Sequence, residues 1–389
     1  MNTMLTGKWS YPTTVWAGPD RIKELPAACR ALGIKRPLLV TDRGLKNAAM
    51  IQKATAENTA ADFPTAVFAE FSGNPVAADV DTGLKAYREH RADGVIAMGG
   101  GAALDVGKAI AFMSGQKRPL WDFEDIGDWW TRADADGIAP VVAVPTTAGT
   151  GSEVGRAAVI LNEDTHEKKI IFHPKMMPGI VISDPLLTVG LPPAVTAATG
   201  MDAFTHCFES FCAPGFHPPA DGMALEGMRL IGKYLPRAYK DGNDIEARAH
   251  MLAAASMGAA AFQKGLGAVH ALAHPIGALY GTHHGLTNAV LLPYAMVHNR
   301  TAIAERMTVV GHVLGLAHAS FDGVLAWVLE IRRILGIPRS LQKLNVPADR
   351  AEEIGRMAER DPSAASNPLP VDATQLETIF RNAVAGKIE

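Results

Sequence analysis

Short apolar runs alternate with amphipathic stretches through the first half of the chain. Residues 37–42, 94–99, 141–145 and 179–184 are rich in Val, Ile or Leu and bounded by turn residues, a pattern that predicts buried strands. Between them, Asp20–Leu32 and Asp79–Arg91 space their apolar positions by three and four, as helices do. Alternating β and α elements predict a mainly parallel, doubly wound sheet with helices on its faces. The pattern changes near Leu187. Beyond it Ala, Met, Leu and His dominate, and Ala194–Cys212, Asp221–Tyr239, Asp244–Lys264, Val269–Leu279 and Phe321–Leu335 read as helices, several apolar nearly all round. The expectation is an α/β domain over residues 1–187, an all-α helical bundle over 188–389, and a ligand cleft between them. Gly281–Gly285 is expected to be a loop that returns His284 toward the helix bearing His270. An edge strand is expected near residues 8–17, where it could pair across a two-fold axis.

Composition narrows this picture. The 389 residues suit two domains, and 48% apolar with 20% charged residues describes a soluble globular protein. A net charge of -3 leaves no electrostatic footprint for nucleic acid or an anionic membrane. Three cysteines, Cys29, Cys207 and Cys212, form no paired framework and suit a reducing cytoplasm. The N-terminus has no long apolar run behind a basic start, so no signal peptide is expected, and no stretch is long enough to span a bilayer.

Two glycine-rich segments follow predicted strands. Gly99-Gly100-Gly101-Ala102 opens a helix that continues through Asp105 to Lys108; glycines there let the backbone approach a bulky anion, and a helix N-terminus offers unpaired N–H groups to phosphate. It is not the Gly-x-Gly-x-x-Gly dinucleotide fingerprint. The second segment, residues 145–153, holds Thr146, Thr147 and Thr150 among glycines, a density of hydroxyls suited to ribose, phosphate or nicotinamide. Asp42 ends a predicted strand, where a carboxylate accepts hydrogen bonds from a ribose diol and repels a 2′-phosphate; the neighbouring Arg43 weakens that preference for NAD over NADP.

The sharpest chemical signal lies in the second half. Asp202 and His206 are four residues apart, as are His270 and His274, a spacing that stacks side chains on one helix face. With His284 after the second pair, a carboxylate and imidazoles can converge into a divalent metal site of three nitrogens and one oxygen. A metallohydrolase built on His270 and His274 is disfavoured, because a zincin helix needs Glu directly after its first His and this chain has Ala271.

Residues 99–108, 145–154, 200–206 and 270–285 together resemble the iron-containing (group III) alcohol dehydrogenase family, in order and through nearly the whole chain. The second motif matches the family pattern in full; in the first, Ala102 stands where the family usually has Ser. The resemblance implies a Rossmann-like N-terminal domain and a helical, metal-binding C-terminal domain. By it, Asp202, His206, His270 and His284 are metal ligands, and Asp42, Asn74, Gly99, Gly100, Thr146, Thr150 and Lys168 contact the cofactor, with Gly101, Asp105 and Thr147 in the same motifs. His274 is the expected catalytic pocket residue, contacting nicotinamide or relaying a proton; the competing reading is a hydrogen bond that caps a buried helix end. The implied activity is NAD(P)-linked oxidation of a small primary alcohol, or reduction of the aldehyde, by a homodimer or larger homo-oligomer. Fe(II) is the expected metal, but a donor set without thiolate also admits Zn(II), Mn(II), Co(II) or Ni(II). Alternatives are a glycerol dehydrogenase- or dehydroquinate synthase-like enzyme on the same scaffold, or a protein that binds NAD and metal without turnover.

Overall fold

The computed structural model describes residues 7–9, 13–71, 73–165 and 167–388. The chain divides into two compact units: Met1–Thr147 with Gly151–Val189, and Ala148–Thr150 with Gly190–Glu389.

The first unit is built on a seven-stranded sheet. Its elements in chain order are β1 (Gly7–Trp9), β2 (Thr14–Ala17), α1 (Leu25–Ala31), β3 (Pro37–Val40), α2 (Ala49–Ala60), β4 (Ala66–Phe68), α3 (Ala77–His90), β5 (Gly94–Gly99), α4 (Gly101–Met113), β6 (Val141–Pro145), β7 (Ala157–Asn162), β8 (Glu167–Phe172) and β9 (Ile180–Ser183). The sheet order is β1-β2-β9-β6-β5-β3-β4, parallel from β2 to β4, with β1 antiparallel at the edge. The inner strands β3, β5, β6 and β9 are buried along their whole length, which is why they read as unbroken apolar runs and not as alternating ones. The expected edge strand is two short strands, β1 and β2, and only β1 lies at the edge; residues 10–12 between them fall outside the described residues.

Strands β7 and β8 form a separate antiparallel hairpin that is not among the strands expected from the sequence. In the large sheet, Gly99 of β5 lies opposite Pro145 of β6, and the Thr146 N–H donates to Gly99 O at 2.9 Å. The two glycine-rich segments therefore leave the sheet side by side, at the carboxyl ends of adjacent parallel strands, where open α/β sheets bind ligands.

The second unit is helical: α5 (Pro193–Cys212), α6 (Pro218–Lys240), α7 (Ile245–Ala261), α8 (Ala268–Tyr280), α9 (His284–His298), α10 (Arg300–Val313), α11 (Phe321–Ile334), α12 (Ala351–Glu359) and α13 (Ala373–Ala385). Helix α5 is buried almost continuously from Thr196 to Cys212 and packs against α6, α7 and α9, which makes it the axis of the bundle. The loop expected at 281–285 is shorter than its glycines suggest. Gly281 ends α8 in the left-handed conformation (φ 63°), and α9 begins at His284 with His283 as N-cap, its Nδ1 accepting from the Leu286 N–H at 3.4 Å. His284 is thus a helical residue. Among the described residues, no helix is long and apolar enough to cross a membrane.

All three cysteines are free and buried, and burial pushes the thiols of Cys29 and Cys207 up to about 12. The folded protein is therefore expected to resist a thiol-reactive disulfide reagent, while the urea-unfolded chain reacts at three thiols. Fast labelling of the native protein would contradict this packing.

Candidate functional site

In the second unit, α5 carries Asp202 and His206 one turn apart, α8 carries His270 in its first turn, and α9 begins with His284. One ligand atom from each of the four lies within 4.8 Å of all the others. Asp202, His206 and His270 are buried and His284 is partly exposed. The rings of His206 and His270 stack with centroids 4.7 Å apart, and those of His270 and His284 lie 5.4 Å apart.

The Asn288 amide, one turn after His284 on α9, reaches into this group. Its Nδ2 is 2.7 Å from Asp202 Oδ1 and 3.1 Å from both His270 Nε2 and His284 Nε2. An amide NH2 has two hydrogens and cannot satisfy three acceptors at once. Lone pairs that converge without enough protons to bridge them suit a cation. Burial drives the His206 imidazole down to about 4, against the opposing pull of Asp202, so at neutral pH this ring is uncharged and its lone pair is free to ligate. Three imidazole nitrogens and one carboxylate oxygen, with no thiolate, fit a borderline divalent ion and would leave the site with one net positive charge.

A second layer of acids supports the imidazoles. Glu209, 5% exposed on α5, sets Oε2 2.5 Å from His270 Nδ1. His274 sits one turn beyond His270, and its Nδ1 is 2.7 Å from Asp361 Oδ2. Burial opposes it, but the His274 ring and the Ser363 N–H together hold the Asp361 carboxyl below its ordinary value. The capping reading of His274 does not hold, because α8 runs on to Tyr280 and the ring lies in the body of the helix. That ring is nearly parallel to His284, at 10° and 5.4 Å, and its side chain is 17% exposed.

In the first unit, Asp42, Gly99, Gly100, Gly101, Thr146 and Thr147 gather at the carboxyl ends of β3, β5 and β6. Asp42 Oδ2 accepts from the Gly100 N–H at 2.8 Å, and burial raises its carboxyl above the ordinary value in spite of that bond. A Cβ on Gly99 would collide with this carboxylate and stand 2.6 Å from Ala103 Cβ, so only glycine lets the Asp42 turn and α4 close on each other.

Asp105 has three partners within the protein. Its Oδ1 accepts from Ser152 Oγ at 2.5 Å, its Oδ2 accepts from the Val159 N–H at 3.0 Å, and Lys108 Nζ stands 3.3 Å away. Both oxygens are taken by the protein, and the residue ties α4 to the loop before β7. Asn74 and Lys168 both neighbour β7: Val76, two residues after Asn74, bridges β7 at Leu161, which pairs with Lys168 on β8. Thr150 belongs to the second unit.

Sequence reasoning passes over Glu209, Asn288 and Asp361. Glu209 follows His206 by three and Asn288 follows His284 by four, spacings that share a helix face. Asp361 carries no such signal, since it reaches His274 from 87 residues away.

The profile of the family described as iron-containing alcohol dehydrogenase matches residues 12–185, and that of the Fe-containing alcohol dehydrogenase family, C-terminal, matches 196–384. A 4-hydroxybutyrate dehydrogenase of Cupriavidus necator is 38% identical over 384 residues, 96% of this chain and 99% of that protein. The crystal structure of a 1,3-propanediol oxidoreductase superposes with a TM-score of 0.89 at 35% identity, covering 94% of this chain and 96% of the other. A sulfoacetaldehyde reductase from Bifidobacterium kashiwanohense, solved in complex with NAD+, superposes with a TM-score of 0.86 at 27% identity, with 98% of each chain covered.

Proposed function

The chain belongs to the iron-containing alcohol dehydrogenase family, and from that membership we propose that Asp202, His206, His270 and His284 hold its catalytic metal. The protein is an iron-containing, NAD-linked alcohol dehydrogenase that moves hydride between a small alcohol or aldehyde and nicotinamide. The observation that carries the metal assignment is the convergence of one carboxylate and three imidazoles from α5, α8 and α9.

A bound divalent ion supplies Lewis acidity to the alcohol oxygen, and a bound nicotinamide supplies the hydride acceptor. The chain's own residues do the rest. Asp202 would bring the one negative charge to the ligand set, and neutral His206 would ligate through a free lone pair. In the first unit, which we assign to the dinucleotide, Asp42 accepts from the ribose diol and favours NAD over NADP. Gly99, Gly100 and Gly101 leave room for the pyrophosphate over the first turn of α4, and Thr146 and Thr147 offer hydroxyls beside it. Thr150, Asn74 and Lys168 are further cofactor contacts in this reading, while Asp105 shapes the loop that carries Ser152. The second unit, from the 187/188 boundary onward, is the metal-binding domain.

His274 is the proton-handling residue. Asp361 accepts the hydrogen of Nδ1, which leaves a lone pair on Nε2, and the side chain is partly exposed. The substrate class is a short primary alcohol or its aldehyde with a second oxygen function at the far end, by similarity to the 4-hydroxybutyrate dehydrogenase and the 1,3-propanediol oxidoreductase. Three buried free thiols support a cytoplasmic setting, and the open edge at β1 supports a homodimer paired across that strand, which light scattering reads directly.

The deciding assay is anaerobic NADH oxidation by chelator-stripped protein, with Fe(II) or Zn(II) restored, against succinic semialdehyde, 3-hydroxypropanal and acetaldehyde. Turnover is expected to return with metal and to favour the two bifunctional aldehydes. In His274→Ala it is expected to fall about a hundredfold or more while NADH still binds. No turnover with NADH and metal both bound would point to the scaffold's elimination chemistry or to a binding protein. Unchanged turnover in His274→Ala would remove its proton role.

A further inference from the structure

Helix α8 presents His270 in its first turn, yet its N-cap position is Gly267, which has no side chain to cap it. Its first N–H groups are satisfied from elsewhere in the chain. Asn367 Oδ1 accepts from the Ala268 N–H at 3.0 Å, and Glu209 Oε1 accepts from the Val269 N–H at 2.8 Å. The second oxygen of the same Glu209 carboxylate is the one 2.5 Å from His270 Nδ1. One buried acid therefore holds both the backbone of this turn and the ring that projects from it.

A carboxylate only accepts hydrogen bonds, so the ring nitrogen facing it must carry the hydrogen. A neutral imidazole with its hydrogen on Nδ1 keeps its lone pair on Nε2. Nε2 is the atom that faces the Asp202–His284 group, as its 3.1 Å approach to Asn288 Nδ2 shows. We infer that Glu209 is a positioning residue for the metal: its carboxylate fixes the His270 tautomer and ring orientation so that Nε2 is always the ligating atom. This rests on the reading of Asp202, His206, His270 and His284 as metal ligands.

Glutamine at this position tests the idea, because its side-chain amide has one acceptor where the site needs two. With the amide oxygen on the Val269 N–H, the NH2 faces Nδ1 and demands a lone pair there, which moves the ring hydrogen to Nε2 and blocks ligation. With the amide reversed, its NH2 opposes the Val269 N–H. Each orientation loses one of the two bonds.

The experiment is competition for Zn(II) between a chromophoric chelator and wild type, His270→Ala, Glu209→Gln and Asn367→Ala, with melting of each metal-free protein followed in parallel. Glu209→Gln is expected to bind Zn(II) about 10- to 100-fold more weakly than wild type, the usual cost of losing a partner behind a ligating histidine. Asn367→Ala removes a cap from the same turn without touching the ring; it is expected to melt earlier and to keep Zn(II) affinity close to wild type. Wild-type affinity in Glu209→Gln overturns the inference. So does an equal loss in Asn367→Ala, since capping alone would then explain the effect. Should Glu209→Gln not fold, Glu209→Asp decides: a carboxylate drawn back by one methylene is expected to weaken Zn(II), and wild-type affinity overturns the inference. Zn(II) binding as tight in His270→Ala as in wild type would instead remove the metal-site reading beneath it, a result distinguishable from the others.

Discussion

His270→Ala protein is expected to lose its metal and, with it, about three orders of magnitude in kcat/KM while still binding NADH. His270 is 1% exposed and its ring lies 4.7 Å from that of His206 and 5.4 Å from that of His284, so its loss removes a buried donor that neighbours both other imidazoles. The remaining three donors come from α5 and α9, with His284 on the partly exposed side. A Lewis acid at an alcohol oxygen supplies several kcal/mol of transition-state stabilisation. At about 1.4 kcal/mol per factor of ten, roughly 4 kcal/mol corresponds to about a thousandfold. The loss should appear in kcat, because the interaction grows as charge develops on oxygen. Metal per chain by elemental analysis, kcat/KM for the preferred aldehyde, and NADH affinity by fluorescence together read the result. Most of the group assigned to NADH, Thr150 apart, lies in the other compact unit, so NADH affinity reports on that unit, while melting of the metal-free protein serves as the control for folding of the mutated one. One metal per chain with near wild-type kcat/KM would sink the assignment of His270 as a ligand.

Helical spacing alone makes the α5 and α8 residues legible. Asp202 with His206, and His270 with His274, repeat at one turn within long apolar patterns, where a polar stripe stands out. The buried strands are equally readable, because strands covered on both faces have no alternation to miss. The hairpin β7–β8 is not. Its sequence continues directly from the hydroxyl-rich segment, and only four residues, 163–166, separate its two stretches. The first stretch, Ala157–Asn162, does carry an apolar run of five residues, but it follows no helix pattern and so falls outside the alternation of β and α elements; the second, Glu167–Phe172, begins with three charged residues and shows no clean alternation, although it carries Lys168.

The acids behind the imidazoles are hidden for a different reason. Glu209 lies one turn beyond His206 on α5, within reach of the same spacing argument. Its partner is on another helix, however, and a lone Glu in a helix is ordinarily a solvated residue. Asp361 is harder still. It stands at the start of a short 3-10 turn at Pro362–Ser366, with no periodicity, and it meets His274 only through packing of the chain's last quarter against α8. Asp105 is partly hidden in the converse sense. Its place in a glycine-rich motif points to the ligand, while its hydrogen bonds to Ser152 and Val159 come from partners that only the fold brings to it.

Gly285→Ala is expected to damage the metal site more than its single added methyl suggests. Glycine at this point makes the stretch read as a loop, yet it is the second residue of α9, and the helix needs it for packing. A Cβ here would lie 2.5 Å from Ala198 O, 3.1 Å from Ala198 C and 2.9 Å from Asp202 Cβ. The first two are backbone atoms of α5, which cannot swing aside as the end of a flexible side chain can. Ordinary contact between carbon atoms is about 3.5–4.0 Å, so α9 must retreat from α5 by roughly 1 Å. That retreat begins beside His284 and is directed away from Asp202, the two ligands that the α5–α9 contact brings together. Metal coordination tolerates about 0.2 Å, far less than this. Overpacking of this kind costs about 1–3 kcal/mol of stability, and metal affinity is expected to fall by at least about tenfold as well. Gly222→Ala is the matched control, since a Cβ there meets nothing within 4 Å on the helix α6. It is expected to leave metal affinity unchanged and to raise stability slightly, as alanine does in a helix interior. Melting of both variants and chelator competition for Zn(II) separate the cases. Wild-type values for Gly285→Ala in both measurements would mean that the α5–α9 spacing does not set the ligand geometry.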